Sequence, residues 1–270
     1  MSDIRSTKRW LSRELSTYYP EAEAEQIARQ LLEEACGMPY PLLVVSDYKV
    51  TQKIDVLRGW LIRLLKYEPL QYVLGRTYFG GMELNVRQGV LIPRPETEQL
   101  CQLLLERDYL FPGAVAADIC TGSGAIALFM ARAGANVEAV EISPLALEVA
   151  KENIIRQGVD IALREADVLK DFAPMYSEYD LVVSNPPYVL EREREGILPH
   201  VLGQEPDMAL FVPDDNPLLF YQRIKELYHA KIFAFEINPL CVEELRQLFC
   251  DRELDFVEDF RGNIRFLIVK

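Results

Sequence analysis

The sequence VAADICTGSGA, residues 115–125, decides the fold, because an apolar run passes directly into a glycine-containing loop and then into a helical segment. Gly122 and Gly124 let the backbone turn sharply and approach a ligand without a Cβ collision. The N–H groups that open the following helix then face that ligand. The spacing Gly122-x-Gly124-x-x-Ala127 fits the loose dinucleotide-binding pattern, which is weak on its own. No Lys-Ser or Lys-Thr pair follows, so a phosphate-binding P-loop is excluded.

Short apolar strands alternate with helical segments from residue 113 onward. The runs that are typical of buried strands are residues 115–119, 137–141, 179–184 and 232–237. Strands separated by helices indicate a parallel sheet with right-handed crossovers. Two further apolar runs, 256–260 and 264–269, flank the turn residues 261–263, which favours an antiparallel hairpin at the end. We therefore predict an α/β fold with a Rossmann-like sheet that ends in an antiparallel hairpin.

The first part of the chain has helical periodicity instead. A segment that opens at Pro20 carries apolar residues at helical spacing and stops at Gly37, and another apolar stripe runs from Leu57 to Leu65. With an earlier helix near Trp10, these segments predict a small helical bundle. Residues 75–93 contain alternating apolar positions and glycine turns, which favours a hairpin linker. The predicted domains are residues 1–74, a linker at 75–93, and a sheet domain at 94–270.

A second motif, Asn185-Pro186-Pro187-Tyr188, lies just behind the apolar run of residues 181–183 and is separated from it by Ser184. The Asn185 side-chain oxygen can accept one N–H of a planar NH2 group, and the carbonyl of Pro186 can accept the other. Holding both hydrogens favours a pyramidal nitrogen whose lone pair points at an electrophile, and the Tyr188 ring can cover one face of the group. Because Asn-Pro also favours turn initiation, the tetrapeptide can alternatively be a turn that only closes the strand.

Two acidic residues are placed to contact a nucleoside. Glu141 ends the second predicted strand, where a carboxylate can accept hydrogen bonds from ribose hydroxyls, although it can also cap the helix that starts at Ser143-Pro144. Asp167 follows a possible third strand and can meet an adenine amine, although aspartate is commonplace in loops. A nucleoside at the first two strands and an NH2 group at Asn185 together fit methyl transfer from S-adenosylmethionine. No metal or covalent nucleophile is needed.

Composition narrows the classes of function. The net charge is −13, which argues against a large nucleic-acid surface. Five cysteines without a C-x-x-C pair and only two histidines make a disulfide framework or a zinc site unexpected. No apolar stretch is long enough to span a bilayer, and the start of the sequence lacks an apolar signal region. We expect a cytoplasmic monomer without membrane contact.

Several motifs together resemble one known family, the HemK-type release factor glutamine methyltransferases. The likeness covers nearly the whole chain, and the PRPETE stretch is particularly telling because the wider group of methyltransferases with an NPPY motif lacks it. The motifs that carry the resemblance are EPLQY at residues 68–72, LIPRPETE at 91–98, TGSGAIA at 121–127, ISP at 142–144 and SNPPY at 184–188.

The resemblance implies methylation of the glutamine amide in the Gly-Gly-Gln loop of peptide chain release factors, with S-adenosylmethionine as donor and S-adenosylhomocysteine as product. It also implies that the N-terminal bundle helps to hold the release factor and that residues 94–97 lie near the active site. The implied acceptor-binding and catalytic residues are Asn185, Pro186, Pro187 and Tyr188. The implied cofactor contacts are Cys120, Thr121, Gly122, Ser123, Gly124, Glu141, Asp167, Val168 and Asn185.

The chain departs from the family pattern at a few positions. Cys120 stands where a glycine is usual, Glu141 replaces the commoner aspartate, and Asn238 follows Glu-Ile where a glycine is usual. Residues 212–216 replace a segment that normally contains glycine. Cysteine is small and glutamate keeps the acceptor, so we expect binding to survive the first two changes.

Three alternatives remain open from the sequence. An adenine-amine methyltransferase acting on DNA or RNA can use the same Asn-Pro-Pro-Tyr grip on a flipped base, but it should bring a basic channel. A nicotinamide oxidoreductase can use the Gly122 and Gly124 loop, but no hydride-transfer acid or base is evident. A domain that keeps the fold and only binds a partner is the non-enzymatic alternative. The intact motifs at both halves of the site argue against it.

Overall fold

The computed structural model describes residues 3–46, 48–170 and 172–270, which form two compact units, Met1–Gly75 and Arg76–Lys270. Met1, Ser2 and Asp47, which belong to the predicted N-terminal domain, lie outside the described residues, as does Asp171 of the sheet domain. The described part of the chain contains no helix with the length and apolar character needed to cross a membrane.

The first unit is a helical bundle. Its α-helices are α1 (Ile4–Leu15), α2 (Glu21–Cys36), α3 (Tyr40–Val45), α4 (Ile54–Leu64) and α5 (Leu70–Leu74), with a 3-10 turn at Val50–Lys53. Asp3 caps α1 by accepting the Ser6 N–H at 2.9 Å, and Gly37 ends α2 in the left-handed conformation. The apolar stripes of α1, α2 and α4 pack together around the fully buried Leu11 and Leu31.

The second unit begins with a hairpin of β1 (Arg76–Phe79) and β2 (Met82–Asn85), followed by α6 (Pro95–Glu106). The segment 75–93, predicted as a hairpin linker, contains this hairpin at residues 76–85, and all of it after Gly75 belongs to the second unit. Alternation fixes its buried side, because Met82 and Leu84 point into the core while their neighbours stay partly exposed.

A seven-stranded sheet forms the centre of the second unit. Its strands are β3 (Val115–Ile119), β4 (Asn136–Glu141), β5 (Ala162–Glu165), β6 (Tyr179–Ser184), β9 (Ala230–Glu236), β10 (Leu254–Glu258) and β11 (Ile264–Val269), in the order β10-β11-β9-β6-β3-β4-β5. The first five of these pair in parallel, and β11 runs antiparallel to both β9 and β10. The predicted α/β sheet with a C-terminal antiparallel hairpin is confirmed.

The connecting elements are mostly helical. They are α7 (Ala125–Arg132), α8 (Pro144–Gln157), α9 (Asp207–Leu210), α10 (Leu219–Leu227) and α11 (Val242–Leu248), with 3-10 turns at Glu191–Gly196 and Pro239–Cys241. Two strands of two residues each, β7 (Val189–Leu190) and β8 (Phe211–Val212), pair in parallel outside the main sheet. The terminal hairpin begins two residues earlier than the run 256–260 suggests, because Leu254 already pairs with Val269 and the register breaks after Val257.

Apolar cores cover both faces of the sheet. Along β6, Leu181 and Val183 face the core built with the hairpin, α6 and α7, while Val182 faces the core built with α10 and α11. Burial of both faces explains why the central strands are mostly apolar in sequence. Because β3, β4 and β6 run parallel, the polar residues that end these strands, Glu141 and Ser184 among them, lie together at the carboxyl end of the sheet.

Candidate active site

A cavity of about 420 Å³ lies at the carboxyl ends of β3, β4 and β6. Open parallel sheets bind ligands at this edge, and the volume is in the range of small-molecule sites. Of the site residues predicted from sequence, those that line the cavity are Cys120, Thr121, Gly122, Ser123, Glu141, Asp167, Val168, Asn185 and Pro187. Gly124, Pro186 and Tyr188 lie beside the cavity without lining it.

The loop after β3 is held by the buried carboxylate of Asp118. Its Oδ2 accepts the hydroxyl of Thr121 and, at 3.0 Å, the N–H of Ala127. Gly122 and Gly124 both have positive φ, and a Cβ on Gly122 would enter open space, whereas one on Gly124 would touch Ala150 at 3.4 Å. Gly122 therefore leaves room for a ligand, and Gly124 starts α7 close against α8.

Cys120 adopts φ 63°, in the left-handed region where glycine is favoured. This observation explains why glycine is usual here in the family that the sequence resembles. Burial raises the pKa of the Cys120 thiol, and the nearby carboxylates of Glu141 and Asp118 raise it further. These effects favour the neutral form of the thiol.

Glu141 connects the glycine loop to the next helix. Its Oε2 accepts the N–H of Gly122 at 2.8 Å, and its Oε1 accepts the N–H groups of Ile142 and Ser143, each at 2.9 Å. The α8 cap is made separately by Ser143, whose hydroxyl accepts the N–H of Ala146. The carboxylate is thus fixed at the cavity edge, where Oε2, which accepts a single N–H, keeps a lone pair for a ligand hydroxyl.

Asp167 and Val168 form another part of the wall. Asp167 Oδ1 accepts the N–H of Leu169 at 3.0 Å, and Oδ2 lies 3.2 Å from the exposed Lys170 ammonium. Val168 is 4% exposed and contributes apolar surface. An apolar wall next to a fixed carboxylate suits a flat ring that carries an amine.

Asn185, at the tip of β6, is held by a side chain from far earlier in the chain. Its Nδ2 donates to the Thr97 hydroxyl at 3.1 Å, and that hydroxyl donates to Glu236 Oε2 at 2.7 Å. The Tyr188 hydroxyl donates to the other oxygen, Glu236 Oε1, at 2.7 Å. Within the described residues, no hydrogen bond forms to Asn185 Oδ1, so this oxygen is available as an acceptor.

The Pro-Pro corner is buried, and its tyrosine does not line the cavity. Burial raises the pKa of the Tyr188 phenol, and the Glu236 carboxylate raises it further, so the hydroxyl stays protonated and donates. The Arg265 guanidinium lies 5.9 Å from the ring centroid. Tyr188 therefore supports the corner in this structure. The sequence led us to expect its ring over one face of the acceptor group, but the ring does not line the cavity.

Asn238, one of the departures from the family pattern, ties the corner to the next segment. Its Nδ2 donates to the Tyr188 carbonyl at 3.1 Å and to Glu193 Oε2 at 2.6 Å, while its Oδ1 accepts the Leu240 N–H. Glycine could make none of these side-chain contacts. Asn238 therefore adds hydrogen bonds that hold the backbone at Tyr188, at the end of the Pro-Pro corner.

Sequence reasoning did not identify Glu236 as a site residue. The sequence signal for Glu236 is an acidic residue directly after the apolar run 232–235, at the end of the strand that pairs with the one preceding Asn185. Burial raises the pKa of Glu236, whereas Thr97, Tyr188 and Arg265 each act to lower it. Thr97 was placed near the active site only by resemblance, and the contact with Asn185 gives it a definite position.

The strand order and the cavity at the carboxyl ends define a Rossmann-like, class I methyltransferase fold. Residues 96–205 match the family model of the Methyltransferase small domain, and residues 7–75 match that of the PrmC N-terminal domain. The solved 16S rRNA N2 G1207 methyltransferase of T. thermophilus, in complex with AdoMet and guanosine, has a similar fold, with a TM-score of 0.51 and 19% identity over 72% of this chain and 49% of that one.

Curated relatives narrow the assignment within this class. A release factor glutamine methyltransferase of Bacteroides thetaiotaomicron is 38% identical over 96% of each chain, and one of Streptococcus pneumoniae is 42% identical over 92% of this chain and 91% of its own. The chain belongs to the release factor glutamine methyltransferase family. The family predicted from the motifs is confirmed.

Proposed function

We propose that this protein transfers a methyl group from S-adenosylmethionine to the side-chain amide nitrogen of the glutamine in the Gly-Gly-Gln loop of a peptide chain release factor. The observation that carries the proposal is the position of Asn185 on the cavity wall, with its amide nitrogen tied to Thr97 and its oxygen available. The relatives match nearly the whole chain and are named as release factor glutamine methyltransferases, which supports a release factor as the substrate.

The residues present fit the methyl donor. The cavity has mainly apolar walls, the carboxylates of Glu141 and Asp167 stand at its edge, and the open space at Gly122 admits a ligand against the backbone. Residues that would hold the donor are the loop 120–124, Glu141, Asp167 and Val168. When bound, S-adenosylmethionine supplies an electrophilic methyl group on a sulfonium centre.

The acceptor amide is activated by positioning. An amide nitrogen is a poor nucleophile because its lone pair is delocalised into the carbonyl. In this proposal Asn185 Oδ1, on the cavity wall, accepts one N–H of the substrate amide, and the carbonyl of Pro186, which lies beside the cavity, accepts the other. The two bonds fix the nitrogen with its lone pair toward the methyl group. Pro187 stiffens this corner because its ring fixes φ.

Within this proposal the N-terminal unit, which matches the PrmC N-terminal domain, contributes to holding the release factor. The alternative, an adenine-amine methyltransferase acting on nucleic acid, is not favoured. The relatives are named for release factors, and the net charge of −13 offers little general attraction for phosphate.

Mass spectrometry of a purified release factor, incubated with the protein and S-adenosylmethionine, tests the proposal. We expect one added methyl group on the peptide that contains Gly-Gly-Gln, located on the glutamine by fragmentation. A release factor with that glutamine replaced by asparagine serves as the control and should stay unmodified. Methylation of adenine in DNA or RNA, with an unmodified release factor, would overturn the proposed substrate.

A further inference from the structure

Glu236 is a buried carboxylate that receives two hydroxyl groups. It ends β9, is 2% exposed, and accepts the hydroxyls of Thr97 and Tyr188, one on each oxygen, both at 2.7 Å. The positive charge of Arg265 acts on it from β11. Burial raises the pKa of Glu236, and the two donors and Arg265 act to lower it. With a hydroxyl proton directed at each of its oxygens, the side chain has the contacts of a carboxylate that only accepts.

The hydrogen-bonding rules then set the direction of each bond. An ionised carboxylate only accepts, and a threonine hydroxyl has a single proton to donate. Because Thr97 gives that proton to Glu236, its oxygen can only accept from Asn185, at 3.1 Å. An Asn185 amide turned by 180° would place two oxygens against each other with no proton between them.

We propose that Glu236 and Thr97 are positioning residues that fix the Asn185 amide with its oxygen toward the substrate. The identity of the substrate amide rests on the proposed function, whereas the orientation of Asn185 is a property of the protein alone. The relay, defined as Glu236, Thr97 and Asn185, sets which atom of Asn185 meets an incoming NH2 group. A reversed amide would present its own N–H groups and repel that ligand.

Thr97→Val tests the relay with little change of shape, because valine has a similar volume and no hydroxyl. Thr97→Ser restores the hydroxyl. Tyr221→Phe is the matched control, since it removes another buried hydroxyl that contacts Glu236 through the main-chain carbonyl, at 3.0 Å, and not through the carboxylate. We expect Tyr221→Phe to affect stability and leave the relay intact.

The first readout needs no methyl transfer. In protein labelled with ¹⁵N-asparagine, Asn185→Ala identifies the Asn185 side-chain resonances. We expect one of its two amide protons to be hydrogen-bonded and slow to exchange, to lose this protection in Thr97→Val, and to keep it in Thr97→Ser and Tyr221→Phe. Unchanged Asn185 resonances in Thr97→Val would overturn the inference.

The second readout separates positioning from binding. At saturating S-adenosylmethionine and release factor, we expect Thr97→Val to lower kcat about 30-fold, with the Kd for the cofactor changed less than about threefold, and Thr97→Ser to recover most of the rate. In an Asn185→Ala background, Thr97→Val should have no further effect, because Thr97 acts through Asn185. Additive losses would contradict the relay.

Glu236→Gln distinguishes a positioning role of Glu236 from a merely structural one. Glutamine can donate as well as accept, so Thr97 is no longer forced to present its oxygen to Asn185. Glutamine has nearly the same shape as glutamate and can still accept from Tyr188, so the fold should keep most of its stability while kcat falls about tenfold. Full activity of Glu236→Gln would argue against the relay.

If the Asn185 resonances respond as expected while the release factor stays unmethylated, the relay holds and the proposed substrate is wrong.

Discussion

The carboxylate of Glu205 pairs with the guanidinium of Arg94, although the two residues are 111 positions apart. The same carboxylate accepts the N–H of Ile92 at 3.1 Å and is almost fully buried. Pro93 and Pro206, which adjoin these residues, both line the cavity. Glu205 therefore joins two walls of the candidate active site.

Replacing Glu205 by alanine should loosen this junction. The change leaves the Ile92 N–H without its acceptor and Arg94 without its partner, so we expect the free energy of unfolding to fall by about 2–4 kcal/mol. The Kd for S-adenosylmethionine should rise with it. Urea unfolding and calorimetric titration measure the two quantities. Glu191→Ala, which breaks a surface pair with Arg194, is the control and should change stability by less than about 1 kcal/mol.

Asn185→Ala should remove the acceptor for the substrate amide while leaving the cofactor walls in place. We expect methyl transfer to slow about 100-fold or more under single-turnover conditions, because a fixed hydrogen-bond acceptor acts mainly on the reacting geometry. Cofactor affinity, measured by titration, should change far less. A variant with an unimpaired rate would refute the role given to Asn185.

Glu141→Gln should have the opposite effect to Asn185→Ala, weakening cofactor binding more than it slows methyl transfer. Glu141 accepts three main-chain N–H groups through its two oxygens, and glutamine would turn an NH2 group toward one set of these donors. We expect the Kd for the cofactor to rise about tenfold or more, while kcat at saturating cofactor stays within a few-fold. Glu148→Gln, at an exposed residue of α8 that pairs with Arg87, is the matched control and should bind normally. Equal losses in both variants would place Glu141 outside the cofactor site.

The sheet could be predicted from sequence because its central strands are buried on both faces and are therefore mostly apolar. The glycine loop and the Asn-Pro-Pro-Tyr corner were visible because each motif lies within a few consecutive residues. The contact of Thr97 with Glu236 spans 139 positions and carries no local pattern, so only the folded chain reveals it. The two-residue strands β7 and β8 were missed for a related reason, since a pair this short has no periodicity to read.

Cys120→Gly should stabilise the fold. Cys120 occupies a left-handed backbone conformation that strains a residue with a Cβ, and the relief is worth up to about 1 kcal/mol, reduced by the lost thiol contacts. Thermal unfolding measures the effect. Cys101→Ala, at a buried position in α6, should instead destabilise, because it leaves a small void without relieving strain. A lower unfolding temperature for Cys120→Gly would show that the thiol contacts outweigh the strain.

Asp118→Asn should change how stability depends on pH. Asp118 is fully buried, one of its oxygens lacks a hydrogen-bond partner among the described residues, and burial raises its pKa to about 7 from an ordinary 3.8. A carboxyl whose pKa is higher in the folded state contributes stability below its unfolded pKa and loses that contribution as the pH rises through the folded value.

Wild-type protein should therefore lose stability relative to Asp118→Asn between pH 4 and about pH 7, by at most about 1.4 kcal/mol per pH unit, with little further change above that. The hydrogen bonds from Thr121 and Ala127 oppose this shift, and the charge of Glu141 adds to it, so the slope reports the balance at the glycine loop. Urea unfolding at pH 5, 6, 7 and 8 measures it for both proteins. A stability difference that does not vary over this range would mean that Asp118 keeps an ordinary pKa, and that the loop is held by a carboxylate already ionised at pH 5.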